Sequence, residues 1–343
     1  MAIRWRALCF ATGGCLLLQA LVPCTAADTI RIEQADTLRL PAEVETAPGT
    51  TAPLTGLSGL AWLGDDRWVA AVDNSDQLAT FTLELGPDGK PLEVAAPAMR
   101  RLAAHHDYED VAVCPQGLLL CEEDTPAIRI VAAAESRELG SLPLPPQLRV
   151  CRGNRGLEAL AFDPAGGCVW TATEEAVPAD GPAATATGGT VVRLTRIALP
   201  GGGGVAPPSR QFAYEVDPPH AAVPTIRGAP LSGVVALVAL PDERLLVLER
   251  SFVAGLPPFE NRIYLVDTRD APDVAGVMKD LSARPPASRL SKRLLWKGSL
   301  GVNLEGLALG PMLASGTRTL VAIADNGGTN TPTLLVTFRL TSP

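Results

Sequence analysis

Gly156-Leu157-Glu158-Ala159-Leu160-Ala161-Phe162, followed by a turn and an apolar run that closes on Thr173-Glu174-Glu175, is a two-strand phrase that recurs along this chain. Other copies run from Gly56-Leu57-Ser58-Gly59-Leu60-Ala61-Trp62 to Val72-Asp73-Asn74, and from Tyr108-Glu109-Asp110-Val111-Ala112-Val113 to Cys121-Glu122-Glu123. Leu231-Ser232-Gly233-Val234-Val235-Ala236-Leu237 leads to Leu248-Glu249-Arg250, and Asn303-Leu304-Glu305-Gly306-Leu307-Ala308-Leu309 leads to Ala324-Asp325-Asn326. A repeat of roughly 50 residues built from short strands predicts an all-β propeller of four-stranded blades. Five copies predict five blades, with six as the alternative if one blade is too degenerate to see.

Working outward from the phrase, third strands read at Leu78 to Leu85, Ile128 to Ala132, Thr190 to Ile197, Arg262 to Asp267 and Thr333 to Leu340. Weaker fourth strands read at Leu92 to Arg101, Glu138 to Leu142, Arg210 to Val216 and Arg293 to Lys297. The fifth unit has none before Pro343, so Thr29 to Leu40 is expected to supply it and close the ring. Closure removes the sheet edges that a linear array would expose. The longer third and fourth units carry insertions at Ala176 to Gly189, Pro200 to Pro208 and Thr268 to Ser291, rich in Pro, Gly, Ala and Ser and read as surface loops.

The chain starts with Arg4 and Arg6, an apolar run from Ala7 to Val22, and the small residues Thr25-Ala26-Ala27. That is the layout of a secretory signal, predicting removal of residues 1–27, a single domain over 28–343 and a periplasmic or secreted protein. A lipoprotein acylated at Cys24 is the alternative. No later run is long and apolar enough for a membrane helix. The whole chain is 47% hydrophobic with 32 Gly and 31 Pro, which suits short strands and tight turns. A formal net charge of −8 gives no electrostatic case for nucleic acid. A monomer acting on a small solute is expected.

In a propeller the innermost strand lines the central channel, so its start and the end of the second strand share one face. Ser58, Glu109, Glu158, Ser232 and Glu305 would then ring the same mouth as Asp73, Glu122, Glu123, Glu174, Glu175, Glu249 and Asp325. Crowded carboxylates hold protons unless a cation neutralises them. A divalent cation is therefore expected, Ca²⁺ first, since it takes several oxygen ligands in loose geometry. Mg²⁺ and Mn²⁺ are alternatives. Asp73, Glu122, Glu174, Glu249 and Asp325 are the candidate ligands, and Glu158, Glu305 and Glu109 the candidate acid/base groups. Arg155, Arg250 and His106 are the candidate contacts to an anionic, phosphorylated substrate, Arg offering forked donors suited to phosphate. Against this stands the bland reading, in which acids at strand ends merely cap turns. Gly56-Leu57-Ser58-Gly59-Leu60 has its second glycine one place too early for a nucleophile elbow.

The phrases at Leu57 to Leu60, Gly156 to Leu160, Leu245 to Phe252 and Asn303 to Leu309 resemble the bacterial phytase-like domain family, also described as "esterase-like activity of phytase". The resemblance covers most of the chain after residue 27. It implies a propeller whose recurrent Glu and Asp residues form a phosphodiesterase or esterase site. Asp325-Asn326-Gly327-Gly328 departs from the more acidic, bulkier ending expected there. The alternative function is a non-catalytic propeller that binds a ligand or partner, with the carboxylates holding a structural cation.

Past residue 27 four cysteines remain, an even number that suits disulfides in an oxidising compartment. Blade geometry puts Cys121 and Cys151 on the channel-mouth face and Cys114 and Cys168 on the opposite one, predicting Cys121–Cys151 and Cys114–Cys168 bonds. Four free buried thiols are the alternative.

Overall fold

The computed structural model describes residues 30–47, 49–134, 136–199, 208–223, 230–327 and 333–341. The expected signal segment with Cys9, Cys15 and Cys24, and residues 200–207 of one insertion, lie outside them.

Blade I comprises β4 (Leu57–Gly64), β5 (Arg67–Val72), β6 (Ser75–Leu85) and β7 (Pro91–His106). Blade II comprises β8 (Tyr108–Cys114), β9 (Gly117–Glu122), β10 (Ala127–Val131) and β11 (Glu138–Leu142). Blade III is built from β12 (Leu157–Asp163), β13 (Cys168–Thr173), β14 (Val191–Ala198) and β15 (Arg210–Glu215). Blade IV follows with β16 (Leu231–Leu240), β17 (Arg244–Phe252), β18 (Phe259–Asp267) and β19 (Lys292–Gly298). Blade V takes β20 (Asn303–Met312), β21 (Arg318–Asp325) and β22 (Leu334–Thr341) from the C-terminal end and β1 (Arg31–Arg39) from the N-terminal end. Every pairing within the blades is antiparallel, and β1 lies on β22 from Arg31↔Thr341 to Arg39↔Leu334, so the ring closes as expected. The innermost strands β4, β8, β12, β16 and β20 contact one another in turn around the axis.

Each blade is apolar on both faces and must bury both. The clusters show how: Trp68, Phe81 and Leu335 pack blade I on V, and Leu119, Ile128 and Leu160 pack II on III. Trp170, Phe212 and Leu237 join III to IV, and Leu246, Ile263 and Phe338 join IV to V. Val69, Val111 and Leu120 join I to II. A lone blade would leave both faces wet, which is why the architecture exists only as a closed ring.

Three sequence expectations need correction. The insertions of blades III and IV are not simply surface loops. Asp180 and Arg193 form a buried ion pair at 2.6 Å, and Val274 and Leu281 bury against Val191 and Ala213. The Asp280 and Ser282 amides donate to the Ala179 and Asp180 carbonyls, so the two insertions pack as one unit. A hairpin of β2 (Glu43–Ala47) and β3 (Thr50–Pro53) precedes blade I and was not anticipated.

The disulfides are absent too: Cys114, Cys121, Cys151 and Cys168 are free. Cys114 and Cys121 face the core between blades II and III, whereas Cys168 faces the core between III and IV, so the sheet of blade III separates Cys114 from Cys168. The Cys151 and Cys121 thiols turn to different carbonyls, those of Leu148 and Asp110. Cys121 also lies opposite Asp110, one residue from the Val111 position that the turn alone suggests.

Candidate functional site

At the end of the ring where the inner strands begin, a cavity of about 220 Å³ is lined almost wholly by polar groups. Its acids are Asp73, Asp107, Glu109, Glu123, Glu158, Glu174, Glu305 and Asp325, and its bases are Arg155 and Arg250.

Two local devices aim these side chains. The first is a β-bulge at the start of the inner strands. Pairing slips between Tyr108 and Asp110, between Leu157 and Ala159, and between Leu304 and Gly306, which leaves Glu109, Glu158 and Glu305 as the extra, unpaired residues. A bulge re-aims its extra side chain, and here the target is the channel axis. The second is a backbone clasp just beyond the second strand. The amides of Asp73, Glu123 and Glu174 donate to the carbonyls of Gly56, Asp107 and Gly156 at 2.7, 2.9 and 2.9 Å. Each clasp holds a second-strand acid beside an inner-strand start. Close approach of neighbouring blades also explains Gly233: a Cβ there would lie 2.4 Å from Glu174 Cγ.

Strand pleating splits the adjacent acids, because successive side chains point to opposite faces. Glu123 enters the cavity, whereas Glu122 turns away to His106 Nδ1 at 2.7 Å and accepts a hydrogen bond from Arg129 Nε at 2.7 Å. Glu122 and His106 therefore leave the set of residues at the mouth. Glu249 leaves it too, buried between the Tyr214 hydroxyl and Lys292 Nζ, each 2.6 Å from Oε1. In blade IV the bulge sits at Val235 and Ser232 pairs regularly with Ser251, a shift that puts Arg250 in the mouth in place of Glu249. Glu158, Glu305, Glu109, Asp73, Glu174, Asp325, Arg155 and Arg250 are brought together as expected. Asp107 was missed. Its signal was faint: it is the one acid at the position held by Gly56, Gly156 and Asn303 in other copies.

Charge defines this mouth. Arg155 Nη1 donates to both oxygens of Glu174 at 3.0 and 2.9 Å, and Arg250 Nη2 donates to Glu174 Oε1 at 2.8 Å. Arg250 Nη2 also stands 3.6 Å from Glu305 and 3.9 Å from Glu158. The five other carboxylates, Asp73, Asp107, Glu109, Glu123 and Asp325, have no comparable share of positive charge. Glu305, desolvated and facing Asp325 and Glu174 despite the help of Arg250, is pushed up to about 7. Burial, aided by Glu174 and Asp107, lifts Glu123 to about 7 despite its hydrogen bond from the Gly156 amide. Glu109 and Glu158 rise well above the usual carboxylate range, through burial first and then their acidic neighbours. Asp73 has an edge open to solvent, yet lost hydration, a hydrogen bond shared with Asp107 and repulsion from nearby acids bring it to about 8.

Oxygen atoms of Asp73, Asp107 and Glu109 lie within 4.8 Å of one another. Ca²⁺ ligands stand about 2.3–2.6 Å from the ion, so one cation can touch all three. Asp325 Oδ1 is buried without a hydrogen-bond partner among the described residues. A hard divalent cation thus fits the donor set.

Residues 52–328 match the Phytase-like family, described as "esterase-like activity of phytase". The chain belongs to that family. No curated protein matches it. Among solved structures, Myxococcus xanthus glutaminyl cyclase is similar at 12% identity, covering 91% of this chain and 97% of that one, TM-score 0.39. The PQQ-bound aldose sugar dehydrogenase of Streptomyces coelicolor is similar at 9% identity, covering 89% and 98%, TM-score 0.35. Streptogramin B lyase is similar at 11% identity, covering 92% and 98%, TM-score 0.32. Likenesses this slight say nothing about what this chain binds.

Further along the inner strands, Leu60, Val111, Leu160, Leu237 and Leu307, all at most 3% exposed, each pack into a different inter-blade core. The acidic mouth above them forms a cup.

Proposed function

We propose that this phytase-like propeller is an exported, cation-dependent hydrolase of phosphoesters that works in the acidic cup. The observation that carries the reading is the crowding of eight carboxylates around two arginines, three of them within reach of a single ion. Asp73, Asp107 and Glu109 would hold the cation, with Asp325 and Glu123 in the same cup. Bound there, a divalent cation supplies charge that polarises a phosphoryl oxygen. Glu305 does the proton work: a carboxyl near 7 is part-protonated at neutral pH and can give or take a proton. Glu158 is its partner, and Arg250 spans the two and fixes their spacing. Arg155, less buried at the rim, would meet the anionic group by exchanging part of its hold on Glu174. Export rests on the N-terminal sequence alone.

That exchange is also what favours a second reading. Both arginines already pair with Glu174, so the cup as it stands holds cations better than phosphate. A propeller that binds a ligand without chemistry, its carboxylates holding a structural cation, has the same geometry.

Hydrolysis of a phosphomonoester, a phosphodiester and an acyl ester, each with chelator and with added Ca²⁺, separates the readings. Phosphoester turnover that needs the ion, and that falls at least a hundredfold in Glu158→Gln and Glu305→Gln with folding intact, is the expected result. Ca²⁺ binding with no turnover of any of the three supports the ligand-binding reading instead.

A further inference from the structure

The far end of the channel carries chemistry opposite to that of the cup. Towards the ends of the five inner strands, Trp62, Val113, Phe162, Ala239 and Leu309 line one opening. They form an open funnel of about 340 Å³, within the range of small-molecule sites. Val113 is 38% exposed, and Trp62, Phe162, Ala239 and Leu309 are half-buried, each resting on an inter-blade core from one side. Four of the five rim positions are bulky and Ala239 is small, which leaves a notch on the blade IV side.

One charged side chain lines the funnel. Arg318, the first residue of β21, lays its guanidinium 5.5 Å from the centre of the Trp62 ring. The ring is itself fixed by its indole N–H, which donates to the Asp65 carbonyl at 2.9 Å. Arg318 makes no ion pair among the described residues, and its Nε is buried without an acceptor. A guanidinium without a counter-ion is costly where water is partly excluded. Burial accordingly lowers its pKa, with no acidic neighbour to offset it.

An unpaired cation on the wall of an apolar funnel complements an amphiphile with one anionic end. We propose that the far mouth of the propeller is a second binding site, separate from the acidic cup, for a free aliphatic monocarboxylate. Its hydrocarbon tail fills the funnel towards the Ala239 notch and its carboxylate pairs with Arg318. The forked guanidinium suits a carboxylate, and stacking on Trp62 holds the fork ready. Among the described residues, none lines both the funnel and the cup.

Calorimetric titration of the whole protein with hexanoate, octanoate and decanoate, below their micelle concentrations, tests the site. One carboxylate is expected per chain, with affinity rising roughly fourfold per added methylene until the funnel is full. Octylammonium should bind at least tenfold more weakly than octanoate. Arg318→Ala should weaken octanoate tenfold or more and leave 1-octanol unchanged. Ala239→Phe should weaken both, and a thermal melt confirms that each variant is folded. If Arg318→Ala does not fold, Arg318→Gln and the octylammonium comparison carry the test. No saturable binding of any acid overturns the proposal, as does equal binding of octanoate and octylammonium. It is also overturned by binding to phosphatidylglycerol vesicles alone, which would make the funnel a membrane contact. A concentration-dependent dimer that buries the rim would assign the surface to a second copy and overturn it as well.

Discussion

Asp110 shows how much one buried side chain can hold. Next to the bulge residue Glu109, it accepts the amides of Val111 and Leu160 at 2.8 Å each and that of Leu60 as well. Those amides belong to blades II, III and I, so one carboxyl ties three inner strands together at the axis. Gly59 is small because a Cβ there would meet Asp110 at 2.4 Å. Asp110→Ala leaves three buried donors unpaired and should lower the unfolding free energy by roughly 3 kcal/mol or more, at about 1–3 kcal/mol for each orphaned group. Urea unfolding measures it, and a loss under 1 kcal/mol would contradict the role. Glu174 is the comparable residue of the cup, since it alone binds both arginines. Glu174→Gln leaves the Arg250 guanidinium buried with a neutral partner, and the expected loss is about 3 kcal/mol, the low end for a broken buried pair. Arg250 would then turn more fully to Glu305, so the pH midpoint of any hydrolysis should move to lower pH.

At the scale of elements, closure by β1 matters most. Without it β22 would present an unpaired edge beside Leu335, Val336 and Phe338, which are fully buried in the ring. A chain that begins after Leu40 should therefore self-associate through that edge, read as a shift to high mass in size-exclusion chromatography. A well-behaved monomer of that length would show that the ring tolerates an open seam. The bulges act at the same scale, turning three glutamates to the axis by the same slip of pairing. Blade IV, with its bulge displaced to Val235, contributes an arginine instead. One irregularity in one strand thus places a cation among acids.

For the molecule as a whole, the raised carboxylates link stability to pH. A group whose folded pKa lies above its unfolded value stabilises the protein below the unfolded value, and that contribution is lost as pH rises through the folded one. Glu123 and Glu305, moved from 4.5 to about 7, set the window at roughly pH 4.5–7, with Asp73 extending it to about 8. Chelated protein should therefore lose stability with rising pH across that window, by up to about 1.4 kcal/mol per pH unit for each such group. Ca²⁺ bound to the ionised acids should flatten the loss and raise the melting temperature most at the alkaline end. Identical pH curves with and without Ca²⁺ would argue against a cation in the cup.

The ring was legible in the repeat pattern. Five phrases with period-2 alternation, turn residues between them and a spare strand at the start leave little choice, because each blade has two apolar faces to bury. The same pattern brought Glu109, Glu158, Glu305, Asp73, Glu174 and Asp325 to one mouth, since matched positions in a repeat occupy matched places. Tertiary structure decided the rest. Whether Glu122 or Glu123, Glu249 or Arg250, faces the axis depends on pleat and bulge, and a shift of one residue reverses the answer. Asp107 became a cup residue through its clasp to Glu123, and the cysteines stayed apart because blade III stands between two of them. The apolar funnel and its unpaired Arg318 were written in alternate residues of the same phrases, but no short-range pattern says where five separated strands will meet.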